Sequence, residues 1–216
     1  MNDMVSGLMV AAVTAVAVAA IFFWTGRARN KKIEALRSLC VQRGWNYERV
    51  SGPRHHGHRI TGDGWLFEAV SRSGGRETAP GSSDWEHSSR WTATAEDPGR
   101  GTFMLGSRPG GMMNVSKMPP FLLSRFLGEE VSGLRPCPAG ERLDPCYVLF
   151  SRAEPPAMGF LSPRAEELLL AWPRRFPLVV RSSPARLALQ VVGKRLEMPE
   201  DVARFIELGL GLAAAR

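Results

Sequence analysis

The chain has 216 residues, 44% of them hydrophobic and 23% charged, with 28 Lys and Arg against 21 Asp and Glu for a formal net charge of +7. That content excludes a disordered polar chain and is enough for a core. Three cysteines are an odd number, and the absence of CxxC spacing excludes a zinc ribbon.

Residues 5–24, VSGLMVAAVTAVAVAAIFFW, carry no charge. At about 1.5 Å per residue they reach about 30 Å, the thickness of a bilayer core. Their length predicts a transmembrane helix, with residues 1–4 as a short extracytoplasmic end. The leader MNDM has no basic residue, unlike the n-region of a signal peptide. Arg27, Arg29, Lys31 and Lys32 follow the run. By the positive-inside rule they put the N-terminus out and the remainder on the cytoplasmic side of a bacterial inner membrane. Gly7, Ala11, Ala15 and Ala19 recur every four residues, a small-residue stripe on which another helix can pack. The alternative is an alanine-rich face turned to lipid.

Residues 25–44 read as a basic juxtamembrane helix. Ile33, Leu36, Leu39 and Cys40 fall at helical spacing, and Gly44 is a stop. Residues 45–216 are then expected to form a cytoplasmic α+β domain, sheet-rich over 45–108 and mixed over 115–216. GHRIT and WLFEAVSR flank Gly62-Asp63-Gly64, a hairpin signal, with Trp65, Phe67 and Ala69 on one face. GGRETAPGSSD (74–84) is a polar loop. SRWTATAE alternates again, Asp97-Pro98-Gly99 turns the chain, and GTFMLGS returns. Four or five antiparallel strands result. Of the tryptophans there, Trp85 lies in the most polar surroundings and is the candidate for an exposed partner anchor.

The second half offers a short helix at 119–127 and a strand at CYVLFSR. Its best helix signal is SPRAEELLLAW, with Ser162 as N-cap, Pro163 at the first helical position and Glu166 and Glu167 in the first turn. FPLVVR and ARLALQVVG pair across Ser182-Ser183-Pro184, and PEDVARFIELGLGLAAA closes the chain as a helix. Separate runs of strands and helices argue for α+β, with an N-terminal transmembrane helix and several packed helices. Cys137 and Cys146 frame a loop that would close as a disulfide only if the orientation were reversed.

Three of the four histidines, His55, His56 and His58, fall within four positions of RHHGHRITGDGW. In a strand His56 and His58 share a face, and His87 lies before the next strand. Three imidazoles could hold zinc. The spacing matches no HExxH pair, and Gly52-Pro53 just ahead makes a loop the alternative reading. His56, His58 and His87 are thus the metal candidates, with no cofactor otherwise implied. No P-loop, dinucleotide fingerprint or nucleophile elbow occurs.

The layout resembles that of bacterial single-pass membrane proteins of uncharacterised activity. The matching parts are the anchor VAAIFFW, a basic helix ending at Arg43, Gly44-Trp45, and WLFEAV with SRWTAT. The resemblance implies a membrane anchor and assigns no site residue. The expected function is an accessory, scaffold or assembly protein that tethers an interaction domain. Its expected partners are anionic lipid headgroups and a membrane protein or a second copy. A metal-dependent enzyme and a basic nucleic-acid-binding domain are the alternatives. Dispersed single arginines disfavour nucleic acid.

Overall fold

Gly44 ends the first helix, as its position predicts. It takes φ +70°, a backbone that only glycine adopts without strain. The amide of Trp45 donates to Cys40 O (2.8 Å) and that of Gly44 to Val41 O (3.2 Å), the paired bonds of a Schellman cap. A computed structural model describes residues 2–73, 85–94, 102–108, 134–152 and 162–215.

Helix α1 spans Asn2–Arg43 without a break. Nine strands follow in chain order: β1 (Asn46–Gly52), β2 (His55–Gly62), β3 (Trp65–Ser73), β4 (Trp85–Thr94), β5 (Phe103–Ser107), β6 (Arg135–Cys137), β7 (Tyr147–Ser151), β8 (Leu178–Ser183) and β9 (Arg186–Val192). Helix α2 (Pro163–Ala171) precedes β8, and α3 (Pro199–Ala214) follows β9. The strands form one sheet in the order β1-β2-β3-β4-β9-β8-β5-β7-β6, every pair antiparallel.

Two expectations are corrected. The protein is mostly one large antiparallel sheet with few helices, three among the described residues, and not an α+β domain with several packed helices. The sheet expected over 45–108 continues into the second half because β9 bonds to both β4 and β8. The helix expected at 119–127 lies outside the described residues. The second correction concerns the membrane. Among the described residues no helix is long and apolar enough to cross one. That overturns the single-pass inner-membrane assignment, the span at 5–24 and the orientation derived from it. Length and absence of charge predict the span, and neither registers that α1 runs on without a break from residues 5–24 into its charged half.

One face of the sheet carries the main core. Ile60, Phe67, Trp91, Leu105, Leu149, Val180 and Leu189 are buried there under α2, α3 and the end of α1. Helix α2 starts as its sequence predicts, the Ser162 hydroxyl oxygen accepting from Ala165 N–H (3.3 Å). Ala165, Leu169 and Trp172 are buried. Helix α3 buries Val202, Phe205, Ile206, Leu208 and Leu212 on its own sheet. The two-residue turn Asp63-Gly64 joins β2 to β3, Gly64 at φ +72°. The opposite face holds a smaller cluster of Met104, Val148, Phe150 and Val179.

Among the described residues α1 docks through its C-terminal half. Leu36 and Cys40 are buried, with Ile33 and Leu39 half-buried beside them. Arg43 pairs with Glu207 of α3 at 2.8 Å. Burial pushes the Cys40 thiol up to about 11. Every side chain described between Thr14 and Lys31 is exposed.

Candidate functional site

The histidine run is a strand, and the loop reading of it is corrected. Alternation along β2 turns His56, His58 and Ile60 toward the helix-covered face. His58 is 6% exposed and sits inside that face, not at its rim. Across the sheet His56 pairs with Ser71, and Ser71 with His87 of β4. The core face therefore divides along the strands. Ile60, Phe67 and Trp91 make an apolar end, and His56, His58, Ser71, His87 and Ser89 make a polar one.

The segment between β9 and α3 closes the polar end. The Ser89 hydroxyl accepts from Leu196 N–H (2.7 Å) and donates to Lys194 O (3.2 Å), which pins the segment to β4. Arg195 is thereby laid across the histidines. Its Nη1 donates to Ser71 Oγ (3.1 Å) and to the carbonyl of His56 (3.4 Å). Its Nε donates to Glu197 Oε1 (2.9 Å), and its Nη2 forms the second arm of that pair. Lys32 of α1 stands 3.8 Å from the other oxygen of Glu197. Burial pushes the Glu197 carboxyl up, but the hydrogen bonds and charge of Arg195, with Lys32 behind, hold it below the usual range.

An arginine can only donate, so Ser71 Oγ accepts from Arg195. His87 Nδ1 lies 2.7 Å from the same hydroxyl, and which of the two donates depends on the imidazole tautomer. The contact is not a nucleophile and base, because Ser71 is fully buried and its oxygen is already engaged. His58 is held neutral. Burial first, and the Arg195 charge second, lower its pKa to about 4 against the opposing pull of Glu197. Its ring stacks on Tyr47 at 6.1 Å and tilts against Phe67 at 5.7 Å. Its Nε2 is out of solvent and has no partner among the described residues.

A cleft of about 370 Å³ opens here between α1 and strands β1 and β2. Ile33, Leu36 and Tyr47 form its apolar wall, and Lys32, Arg49, His58, Arg195 and Glu197 its polar one. On the other face of the sheet Arg90, Arg152, Arg181 and Arg186 line a cleft of about 270 Å³. The first three of those arginines are already engaged.

The predicted metal candidates are near one another but do not converge. Among the described residues no three His, Cys, Asp or Glu side chains could hold a metal ion. His55 is exposed on the far face, and His87 is exposed with its Nδ1 on Ser71. Arg27 and Lys31 are exposed on α1, whereas Lys32 turns to Glu197. The side chains of Arg29, Gly7, Ala11, Ala15, Ala19 and Trp85 lie outside those described. Cys137 and Cys146 are free thiols, and Cys146 Sγ accepts from Arg174 Nη2 at 3.0 Å.

Arg195, Glu197, Ser71, Tyr47 and Arg49 were not singled out from sequence. Strand alternation could have found Ser71, two residues beyond Ala69 on the same face. Arg195 and Glu197 sit in an irregular segment and gave no periodic signal. The chain matches no protein-family profile, no curated protein and no solved structure.

Proposed function

We propose that this chain is a scaffold or assembly protein that works by protein–protein contact, its partner element being the exposed stretch of α1 and its partner a second copy of the chain. One observation carries the reading. Val18, Ile21, Phe23 and Trp24 are 46%, 63%, 67% and 78% exposed on a helix whose docked half is held firmly to the sheet. A cluster of large apolar side chains in water is a contact surface. Thr14, Val18, Ile21 and Thr25 follow the alternating four- and three-residue steps of a helix-pairing seam. The stretch carries no charge between Asp3 and Arg27, so two copies bring no like charges together. The docked half fixes the direction of the arm, and pairing would bring two sheet domains to one place.

The test is the molar mass of the full chain by size exclusion with light scattering, across a range of concentrations, beside an Ile21→Glu/Trp24→Glu variant. A multiple of the 23.7 kDa chain mass that falls to monomer in the variant supports the reading. A monomer at every concentration overturns it, as does an oligomer that the variant leaves intact. Recovery of the protein only in a carbonate-resistant membrane fraction also overturns it.

A further inference from the structure

We propose that the cleft between α1 and strands β1 and β2 binds a small organic anion, a monocarboxylate with a short apolar body. Four observations support this ligand class.

The first is the charge of the wall. Lys32, Arg49 and Arg195 face a single acid, Glu197. Glu197 takes both arms of Arg195 and leans on Lys32. Four of the five Arg195 donors are engaged, by Glu197, Ser71 and the His56 carbonyl, which leaves one N–H on Nη2. Arg49 makes no ion pair among the described residues and is exposed at the mouth. The wall carries a net +2, but Lys32 and Arg195 are both paired with Glu197 and Arg49 is not, which suits one carboxylate. A phosphate dianion would meet Glu197 at close range without a cation to spare.

The second is His58. It lines the cleft, is more than nine-tenths buried, and its Nε2 has no partner among the described residues. A buried polar atom left unpaired costs about 1–3 kcal/mol; this one is closed to solvent, so a ligand oxygen satisfies it once the ring turns toward the cleft. The third is the apolar wall of Ile33, Leu36 and Tyr47, which fits a hydrocarbon body better than a bare inorganic ion. The fourth is size. A cleft of about 370 Å³ falls in the range of small-ligand sites.

The site shares Thr25 with the proposed seam of α1, but its charged and apolar walls come from other residues. Its test is calorimetric titration of the full chain with sodium octanoate and, separately, with inorganic phosphate, while the His58 ring signals are followed by NMR. The comparison variant is Lys32→Gln/Arg49→Gln, two surface substitutions whose fold is checked by an unchanged melting temperature. The expected result is saturable binding of octanoate near one per chain, movement of the His58 signals, and affinity about ten-fold weaker in the variant, the scale of two partly exposed charge contacts. Three results would overturn it: no saturable octanoate binding, phosphate bound as tightly as octanoate, or octanoate affinity unchanged in the variant. The last would place the fatty chain on the exposed apolar face of α1 instead.

Discussion

Gly209 of α3 lies directly against the indole of Trp91. A Cβ built at that position overlaps the fused-ring carbons of the tryptophan. Glycine in mid-helix costs about 1 kcal/mol relative to alanine, so its presence here reflects the approach of the helix backbone to the ring. Trp91 is fully buried at the centre of the sheet, and this contact sets how closely α3 packs on β4.

Gly209→Ala should therefore destabilise the fold by about 2 kcal/mol in spite of the better helix propensity, since an overfilled core must shift backbone or ring. Gly211→Ala is the internal control. Its Cβ meets Leu168 Cδ1 at 2.7 Å, the end of a flexible side chain that can turn aside. That variant should lie within about 1 kcal/mol of the parent, on either side. Urea unfolding of the two variants compares them, and equal midpoints would refute the account of the Trp91 contact.

Stability should fall as pH drops through the window between 6.5, the ordinary pKa of histidine, and about 4, the value His58 has in the fold. The unfolded chain takes up the proton at the higher pH and the folded chain resists it to the lower. Unfolding is therefore favoured progressively across the window, by about 3 kcal/mol in total for this group, and unaffected by it above about pH 7. The depressed Glu197 carboxyl acts in the same direction at the acid end. His58→Phe should flatten the profile between pH 6.5 and 4. Denaturation midpoints measured at half-unit steps in both proteins decide it.

Arg195→Gln should cost about 1.5 kcal/mol. It leaves the partly exposed Glu197 without its main partner and removes a donor from Ser71 and from the His56 carbonyl. Adding Glu197→Gln should recover a good part of the loss, because the unpaired charge is then gone. Strict additivity of the two changes in a double-mutant cycle would show that the pair is not coupled.

Gly44→Ala should cost about 1 kcal/mol, the penalty of holding a Cβ at a left-handed position, while Gly44→Asn should cost less. Nothing lies within 4 Å of a Cβ built there, so the effect isolates backbone conformation. Thermal unfolding of the two variants measures it.

Several elements were legible because their causes are local. Ser162-Pro163 with Glu166 announced α2, Pro199 with Glu200 and Asp201 announced α3, and Gly44 announced the end of α1. Gly62-Asp63-Gly64 announced the β2–β3 hairpin. The His run was legible as a cluster but not as a site. Its chemistry is set by Arg195, which reaches the His56 carbonyl from 139 positions away. No periodicity in either segment encodes that meeting. The uncharged run 5–24 misled for a related reason, since counting residues without charge measures length and not how a helix is partnered.

The sequence by itself determined most of the strands, the start of α2, the end of α1 and the β2–β3 turn, because alternation, capping hydroxyls and glycine conformations act within a few residues. The tertiary structure alone decided that β9 would lie between β4 and β8, joining both halves of the chain in one sheet. By that pairing Arg195 is brought over His56, Ser71 and His58, and Glu197 is set opposite Lys32. The physical reason is that strand order follows from which apolar faces can be buried together. That is a property of the assembled sheet and its covering helices, not of any single segment.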